Sequence, residues 1–301
     1  MRFTSRPYQS VNDLYATGEL LRRAYRTCKC LNAWSFAQFD IWAQRRIADS
    51  ETFGETAWKQ YFRIWQDEHG KVIGAAFAHD RHHWRRNPDP HTLILDFDHP
   101  HLIDEMLDWA ESGAKPEVAV KGKHLVLNNI LERRGYVRSD DSMVYREKPL
   151  AETPFEPVNL PDGYHIEVLK HGIWPAYFVA VNAVFKMMDN IDSFRSIQQA
   201  PSNVPELHLN ILSEQGEIAA FCSVWWDRQN NVAELEPVGT VPRFQKKGLG
   251  AALLAHACNR LREMGCPLVT VESWSESVGA NKLYEACGLQ EVDRVYNWKK
   301  M

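Results

Sequence analysis

The residues with the clearest chemical potential lie between Val232 and Met264. Arg243-Phe244-Gln245-Lys246-Lys247-Gly248-Leu249-Gly250-Ala251 leads into a row of Leu249, Leu253, Ala257 and Leu261 at i, i+4 spacing, which predicts a helix that Gly265 stops. The first N–H groups of a helix have no internal acceptor, and the helix dipole puts partial positive charge beside them. Gly248 and Gly250 carry no side chain to hold an anion away from the backbone, and Arg243, Lys246 and Lys247 add positive charge. That chemistry suits a diphosphate held by residues Gln245 to Ala251. A basic, glycine-containing helix start that binds nothing would give the same short pattern.

Just upstream, Ala233 to Val241 reads as an extended stretch closed by Pro242, with Glu234, Glu236, Val238 and Thr240 alternating onto one face. Either glutamate can attract a cationic substrate or pair with a local lysine or arginine. A dinucleotide-binding turn fits less well. Gly248-Leu249-Gly250-Ala251-Ala252-Leu253 lacks the third glycine and stands too far from the end of the strand. A Walker A loop, Gly-x-Ser-x-Gly and His-Glu-x-x-His are all absent from the sequence.

These residues need elements to place them. Pro149, Pro154, Pro157 and Pro161 remove donors and forbid helix, so a boundary is expected between about residues 150 and 161. This gives a domain over 1–150, a linker over 151–161 and a domain over 162–301. The halves read as weak copies of each other. Each opens with a strand-like piece, Phe3 to Tyr8 and Tyr164 to Leu169. In the first half a helix follows, started by a Ser10/Asp13 capping box and patterned by Val11, Leu14, Leu21 and Tyr25. Each half then turns into an apolar strand, at Glu68 to Phe77 and Glu214 to Phe221. A polar tip comes next, at Asp80 to Pro90 and Asp227 to Asn231, and then another strand, Thr92 to Asp98 and Val232 to Val241. Late in each half a helix is stopped by glycine, at Gly135 and Gly288. Mixed strands and helices in both halves predict an α/β or α+β fold with central sheets.

Composition narrows the classes. The chain has 301 residues, 45% of them hydrophobic, enough for two cores. A net charge of -4 argues against general nucleic-acid or anionic-membrane binding. The N-terminus does not read as a signal peptide, and no run approaches the roughly 20 apolar residues of a membrane span. Of six cysteines, Cys28 and Cys30 form a CxC and the rest are scattered, without the CxxC spacing of zinc ribbons, so no metal is expected. Scattered cysteines without a secretory signal fit a cytoplasmic protein.

Gln-x-x-Gly-x-Gly, placed after a strand that ends near a proline and before an amphipathic helix, resembles motif A of the GNAT acetyltransferases. Ser277-Val278-Gly279-Ala280-Asn281-Lys282-Leu283-Tyr284-Glu285-Ala286-Cys287-Gly288-Leu289 is similar to that family's motif B, with Ala280, Leu283, Tyr284 and Gly288 in register. The resemblance covers residues 162–301, and the internal repeat extends it over 1–150. It implies a tandem protein of two GNAT-like domains, each with a mixed, mostly antiparallel central sheet flanked by helices. The implied reaction is direct attack by a primary amine of a small molecule on the thioester of acetyl-CoA. The backbone of Val238, Gly239, Thr240 and Val241 would hold the pantetheine arm and polarise the carbonyl. Gln245 to Ala251 would take the pyrophosphate. Tyr284 would protonate the departing thiolate, and Glu234 or Glu236 would take the amine's proton. An ordinary packed tyrosine also explains Tyr284. Ser277 replaces the usual motif B asparagine, and its hydroxyl can bond to backbone or cofactor. A non-catalytic acyl-CoA sensor is the alternative of another class; it would keep residues 245–250 and need neither Tyr284 nor the glutamates.

The first half departs from this pattern. Thr92 to Glu111 contains no glycine, Asp96, Asp98, Asp104 and Glu105 would repel a diphosphate, and Leu131 stands where the second half has Tyr284. It is expected to keep the fold without cofactor binding. The basic run Arg81-His82-His83-Trp84-Arg85-Arg86 reads as a solvated hairpin tip. Trp225, Trp226, Trp274, Phe185, Met187 and Met188 could line an acceptor pocket, with core or interface roles favoured for most. Glu272 and Glu276 beside Trp274 would suit a cationic amine.

Overall fold

The structure, a computed structural model, describes residues 3–29, 32–54, 56–78, 91–112, 117–150, 155, 158–185 and 195–300. In chain order its first elements are β1 (Phe3–Pro7), α1 (Val11–Cys28), α2 (Phe36–Phe53), β2 (Phe62–Asp67), β3 (Val72–Ala78), β4 (His91–Leu95), α3 (Leu102–Glu111), β5 (Glu117–Lys121), α4 (Leu125–Arg133) and β6 (Tyr136–Pro149). There follow β7 (Tyr164–Val168), α5 (Trp174–Phe185), β8 (Asn203–Ser213), β9 (Ile218–Asp227), β10 (Val232–Thr240), α6 (Leu249–Glu263), β11 (Leu268–Trp274), α7 (Val278–Ala286) and β12 (Gln290–Lys300).

The chain divides into two compact units, Met1–Val144 with Asp293–Met301, and Tyr145–Val292. In the first unit the strands run in the order β1-β2-β3-β4-β5-β12; all recorded pairs are antiparallel except β4 with β5. In the second unit the order is β11-β10-β9-β8-β7, again antiparallel except for β10 with β11. Each sheet is therefore mixed and mostly antiparallel, as the family resemblance implies.

The units differ from the sequence-based division at both ends. The last strand belongs with the first unit, because Val295 to Lys299 pair antiparallel with Lys121 to Glu117 of β5. Strand partners so distant in sequence leave no local pattern. The proline-rich segment is also not plain linker at its one described central residue. Phe155 is 7% exposed, and the Asn259 side chain of α6 accepts from its N–H at 3.0 Å and donates to its carbonyl at 2.9 Å. Prolines forbid helix there, yet they leave the chain free to dock in an extended form.

The local signals held where they were specific. Ser10 caps α1 with Asp13 as the reciprocal partner, and Arg6 pairs with Asp13 at 2.7 Å. Gly135 and Gly288 take positive φ, 81° and 79°, just past α4 and α7. Helices α2 and α5 lie outside the elements that the sequence pattern predicts. In α2, Ser35 accepts from Gln38 N–H at 3.1 Å and its own N–H reaches Gln38, a capping box of the Ser/Gln form. In α5 the run Trp174 to Phe185 is apolar on nearly all sides, so its period is hard to see. The first core gathers Trp65, Leu93, Leu95, Leu102, Met106, Leu107, Val118, Val120, Leu127 and Leu131 between α3, α4 and the strands. In the second unit every residue of β9 is buried, and the predicted row Leu249, Leu253, Ala257 and Leu261 is no more than 1% exposed. The basic run 81–86 and its hairpin tip 80–90 lie outside the described residues.

Candidate active site

The site grows from the way β10 leaves its neighbour. Val232, Ala233 and Glu234 pair in parallel with Leu268, Val269 and Thr270 of β11, and the recorded pairing ends there, although β10 runs on to Thr240 and β11 to Trp274. Among the described residues, no strand pairing is recorded on that edge of β10 beyond Glu234. On its other edge β10 stays paired to β9 as far as Thr240, with a register shift between Leu235 and Val238. With the ladder to β11 ended, alternate backbone groups on that edge of β10 are not tied to β11.

That register shift corrects one sequence expectation. Glu234 lies opposite Trp225 and Leu235 opposite Val224, but Val238 lies opposite Cys222 and Gly239 opposite Phe221. Directly opposed residues share a face. One extra residue in β10 therefore moves Val238 and Thr240 to the face of Leu235, away from Glu234, while Gly239 joins the Glu234 face. A bulge resets side-chain alternation, and a reading by strict alternation cannot see it.

The loop that follows is built for a tight turn. Residues Pro242–Phe244 form a single 3-10 turn, and the Gln245 side-chain amide donates to Thr240 O at 3.2 Å. Lys246 takes φ 62° and Gly248 φ 79°. Left-handed backbone costs an L-residue such as Lys246 roughly 1–2 kcal/mol, a strain that clusters at ligand clamps. Gly248 is the N-cap of α6 with no side-chain cap, so the amides of Leu249, Gly250 and Ala251 have no intrahelical acceptor. Gln245 to Gly248 are exposed, and a Cβ on Gly248 would meet nothing within 4 Å. Gly250 has a different task. A Cβ there would lie 3.2 Å from Leu283 Cδ2 and 3.4 Å from Thr240 Oγ1, so glycine lets α6, α7 and the end of β10 converge.

Three donors expected around an anion are already engaged. Gln245 N–H donates to Pro242 O at 3.3 Å. Arg243 is ion-paired with Glu217, and Lys247 Nζ donates to the Tyr164 hydroxyl at 2.9 Å. That leaves the first amides of α6 and the exposed Lys246 turn as the groups at this corner able to meet an anion.

Tyr284 is 4% exposed on α7, and among the described residues no hydrogen bond to its hydroxyl is seen. Burial, then the Glu236 carboxylate, push its phenol well above the ordinary range, while Arg146 pulls the other way. A phenol so placed is neutral at physiological pH and carries a proton to give. Glu234 is 1% exposed and Glu236 is half-buried, its carbonyl accepting from the Trp225 indole. Ser277 stands at the start of α7 without capping it; its N–H donates to Trp274 O at 3.0 Å. Trp225 and Trp226 are buried, whereas Trp274 is 41% exposed, so of the three Trp274 presents the most surface to solvent. Met187 and Met188 lie outside the described residues.

Two residues escaped the sequence reading. Arg146, on β6, is 2% exposed and reaches Ser273, Asn281 and Glu285 around α7. Its signal was weak: one arginine in an alternating strand ahead of Pro149. In the first unit, Asn32 accepts from Leu95 N–H at 3.2 Å. There the recorded parallel pairing of β4 with β5 also stops early, at Thr92 and Ala119. Of the acidic residues that would repel an anion there, three hold structural partners: Arg23 for Asp96, Arg134 for Asp104, and Ser5 with Trp65 for Glu105.

Residues 173–289 match the model of the acetyltransferase (GNAT) family. The [ribosomal protein bS18]-alanine N-acetyltransferase of Escherichia coli is 30% identical over 141 residues, which are 46% of this chain and 78% of that relative. An aminoglycoside N(6')-acetyltransferase type 1 of Stenotrophomonas maltophilia is 28% identical over 134 residues, 42% of this chain and 79% of the relative. A tandem GNAT protein from the clavulanic acid biosynthesis pathway is similar in fold over 99% of this chain and 98% of its own, with a TM-score of 0.61 and 12% identity.

Proposed function

Because the chain belongs to the acetyltransferase (GNAT) family, we propose that its second unit moves an acetyl group from acetyl-CoA to a primary amine of a small molecule. The observation that carries this reading is the parting of β10 from β11 after Glu234, directly ahead of an uncapped helix start. The residues fit the cosubstrate. The amides of Leu249, Gly250 and Ala251, with the exposed Lys246 turn and Gly248, suit its pyrophosphate. The edge of β10 from Val238 to Thr240, with Val241 just past its end, suits the amide-bearing pantetheine arm, and Ser277 at the N-terminus of α7 offers a hydroxyl. Bound there, acetyl-CoA supplies an activated thioester.

The remaining work falls to side chains. An ammonium has no lone pair, so Glu234 or Glu236 takes a proton from the acceptor, directly or through one water. A backbone N–H between Val238 and Thr240 stabilises negative charge on the thioester oxygen during attack, since that of Val241 already donates to Ala219 O at 2.9 Å. Tyr284 gives its proton to the departing sulfur. The half-buried Glu236, acting on Tyr284, keeps that proton in place until then. Cytoplasmic thiol-reducing conditions suit the free cysteines Cys28, Cys222, Cys258, Cys266 and Cys287.

Release of free CoA from acetyl-CoA should be measured with polyamines, aminoglycosides, amino acids and alanine-initiated peptides as acceptors. Turnover with a cationic small amine is expected. Turnover with the peptides alone would move the acceptor to a protein terminus, and binding of acetyl-CoA without turnover would favour an acyl-CoA sensor.

A further inference from the structure

Arg146 is a charged side chain that the proposed reaction leaves unused, and only 2% of it is exposed. Its Nη1 donates to Asn281 Oδ1 at 2.9 Å and to Ser273 Oγ at 3.2 Å; its Nη2 donates to Glu285 Oε1 at 3.1 Å. Ser273 Oγ donates to the same Asn281 Oδ1 at 2.8 Å. The Asn281 amide in turn donates to Trp274 O at 3.0 Å and Ser275 O at 3.1 Å. The guanidinium thus ties the end of β11 to α7 at two positions, one on each side of Tyr284 in sequence.

Burying a cation costs free energy unless its partners are good. The one carboxylate on Arg146, that of Glu285, has a side chain 62% exposed, and the Arg146 Nε has no partner. Its charge is therefore incompletely balanced, and it acts on the nearby Tyr284 phenol against Glu236. Packing α7 alone would not need such a group, since a leucine or methionine of similar reach would serve.

We propose that Arg146 is a positioning residue for Tyr284: it clamps α7 to the end of β11 and holds a fixed cation beside the phenol while the proton leaves. The inference rests on Tyr284 as the acid of the proposed reaction. In that step the Tyr284 O–H bond breaks, an S–H bond forms on the departing thiolate, and the phenolate left behind is reprotonated from water. Arg146 stabilises that phenolate without touching the substrate.

The test uses the full chain, with CoA release from acetyl-CoA and spermidine or kanamycin as acceptor, and amide exchange over residues 278–286. Arg146→Met should lower kcat roughly tenfold to a hundredfold, with KM for acetyl-CoA within about twofold, because a misplaced catalytic group costs turnover and not binding. Exchange of α7 should rise while that of α6 stays unchanged. Arg146→Lys, which keeps the charge and loses the fork, should fall between native and methionine. Asn281→Ala keeps the cation and loses part of the clamp, and it serves if Arg146→Met does not fold. The double variant Arg146→Met with Tyr284→Phe should be no slower than Tyr284→Phe by itself. Losses that multiply in the double variant overturn the inference. So does a fall in stability with kcat unchanged. If Tyr284→Phe is as fast as the native chain, the proposed acid is wrong, and that result stands apart from any result at Arg146.

Discussion

Gly239 lies directly opposite Phe221 across β10 and β9, and a Cβ on residue 239 would fall 2.8 Å from Phe221 Cε2 and still closer to Cζ. Phe221 is fully buried and packs edge-on against Tyr177 of α5, with ring centroids 5.5 Å apart. The ring cannot yield without disturbing α5. Gly239→Ala should therefore destabilise the second unit by about 1–3 kcal/mol, the usual cost of overpacking a core. Thermal unfolding checks it, and adding Phe221→Leu to the same chain should recover most of the loss. An unchanged melting temperature for Gly239→Ala would show that the ring moves freely.

Tyr284→Phe removes one hydroxyl from a side chain that is otherwise buried. Turnover should drop on the order of a hundredfold, the usual contribution of a general acid, while acetyl-CoA affinity stays within about twofold. Steady-state kinetics and calorimetry on one preparation read both quantities. A variant as active as the native chain assigns the proton to another donor.

The first unit carries the same parting of strands but fills it from within. Leu95 N–H, on the stretch of β4 that has left β5, is already bound by buried Asn32. With no glycine between Thr92 and Glu111 to admit a diphosphate, titration with acetyl-CoA should give one site per chain. Two equivalent sites would contradict this.

His124 in the first unit and His208 in the second are both buried, and burial lowers each imidazole from 6.5 to about 4. His124 Nδ1 accepts from Leu127 N–H at 3.3 Å, which fixes the neutral ring with its proton on Nε2. The unfolded chain binds more protons than the folded one between these two values. The stability each neutral ring contributes is therefore complete above pH 6.5 and is lost as pH falls towards 4. Between pH 7.5 and pH 5 the loss should be about 2 kcal/mol per histidine. Urea unfolding at both pH values, repeated on His208→Gln, measures it; a variant with an undiminished pH slope would remove His208 from the account.

Much of the candidate site was legible because its signals are local. A helix start is a matter of a few consecutive residues, so Gly248, Gly250 and the row from Leu249 to Leu261 could be placed from spacing and from the orphan amides such a start must carry. Tyr284 and Gly288 stood in register within one short run, as did the capping box of Ser10 and Asp13. The glutamates were recognisable as residues able to take a proton, but not as residues on particular faces.

Tertiary structure decided what depends on partners remote in sequence. The bulge between Leu235 and Val238 turned Val238 and Thr240 away from the face of Glu234, because register is set by the strand alongside and not by the strand itself. Pairing of β12 with β5 gave the last residues to the first unit, and Arg146 met Asn281 across 135 positions. The sequence determined where an anion could be met by free amides and which side chains could carry a proton. Folding determined which of those groups were already spoken for, since a hydrogen bond or an ion pair is made wherever the chain returns close enough to make it.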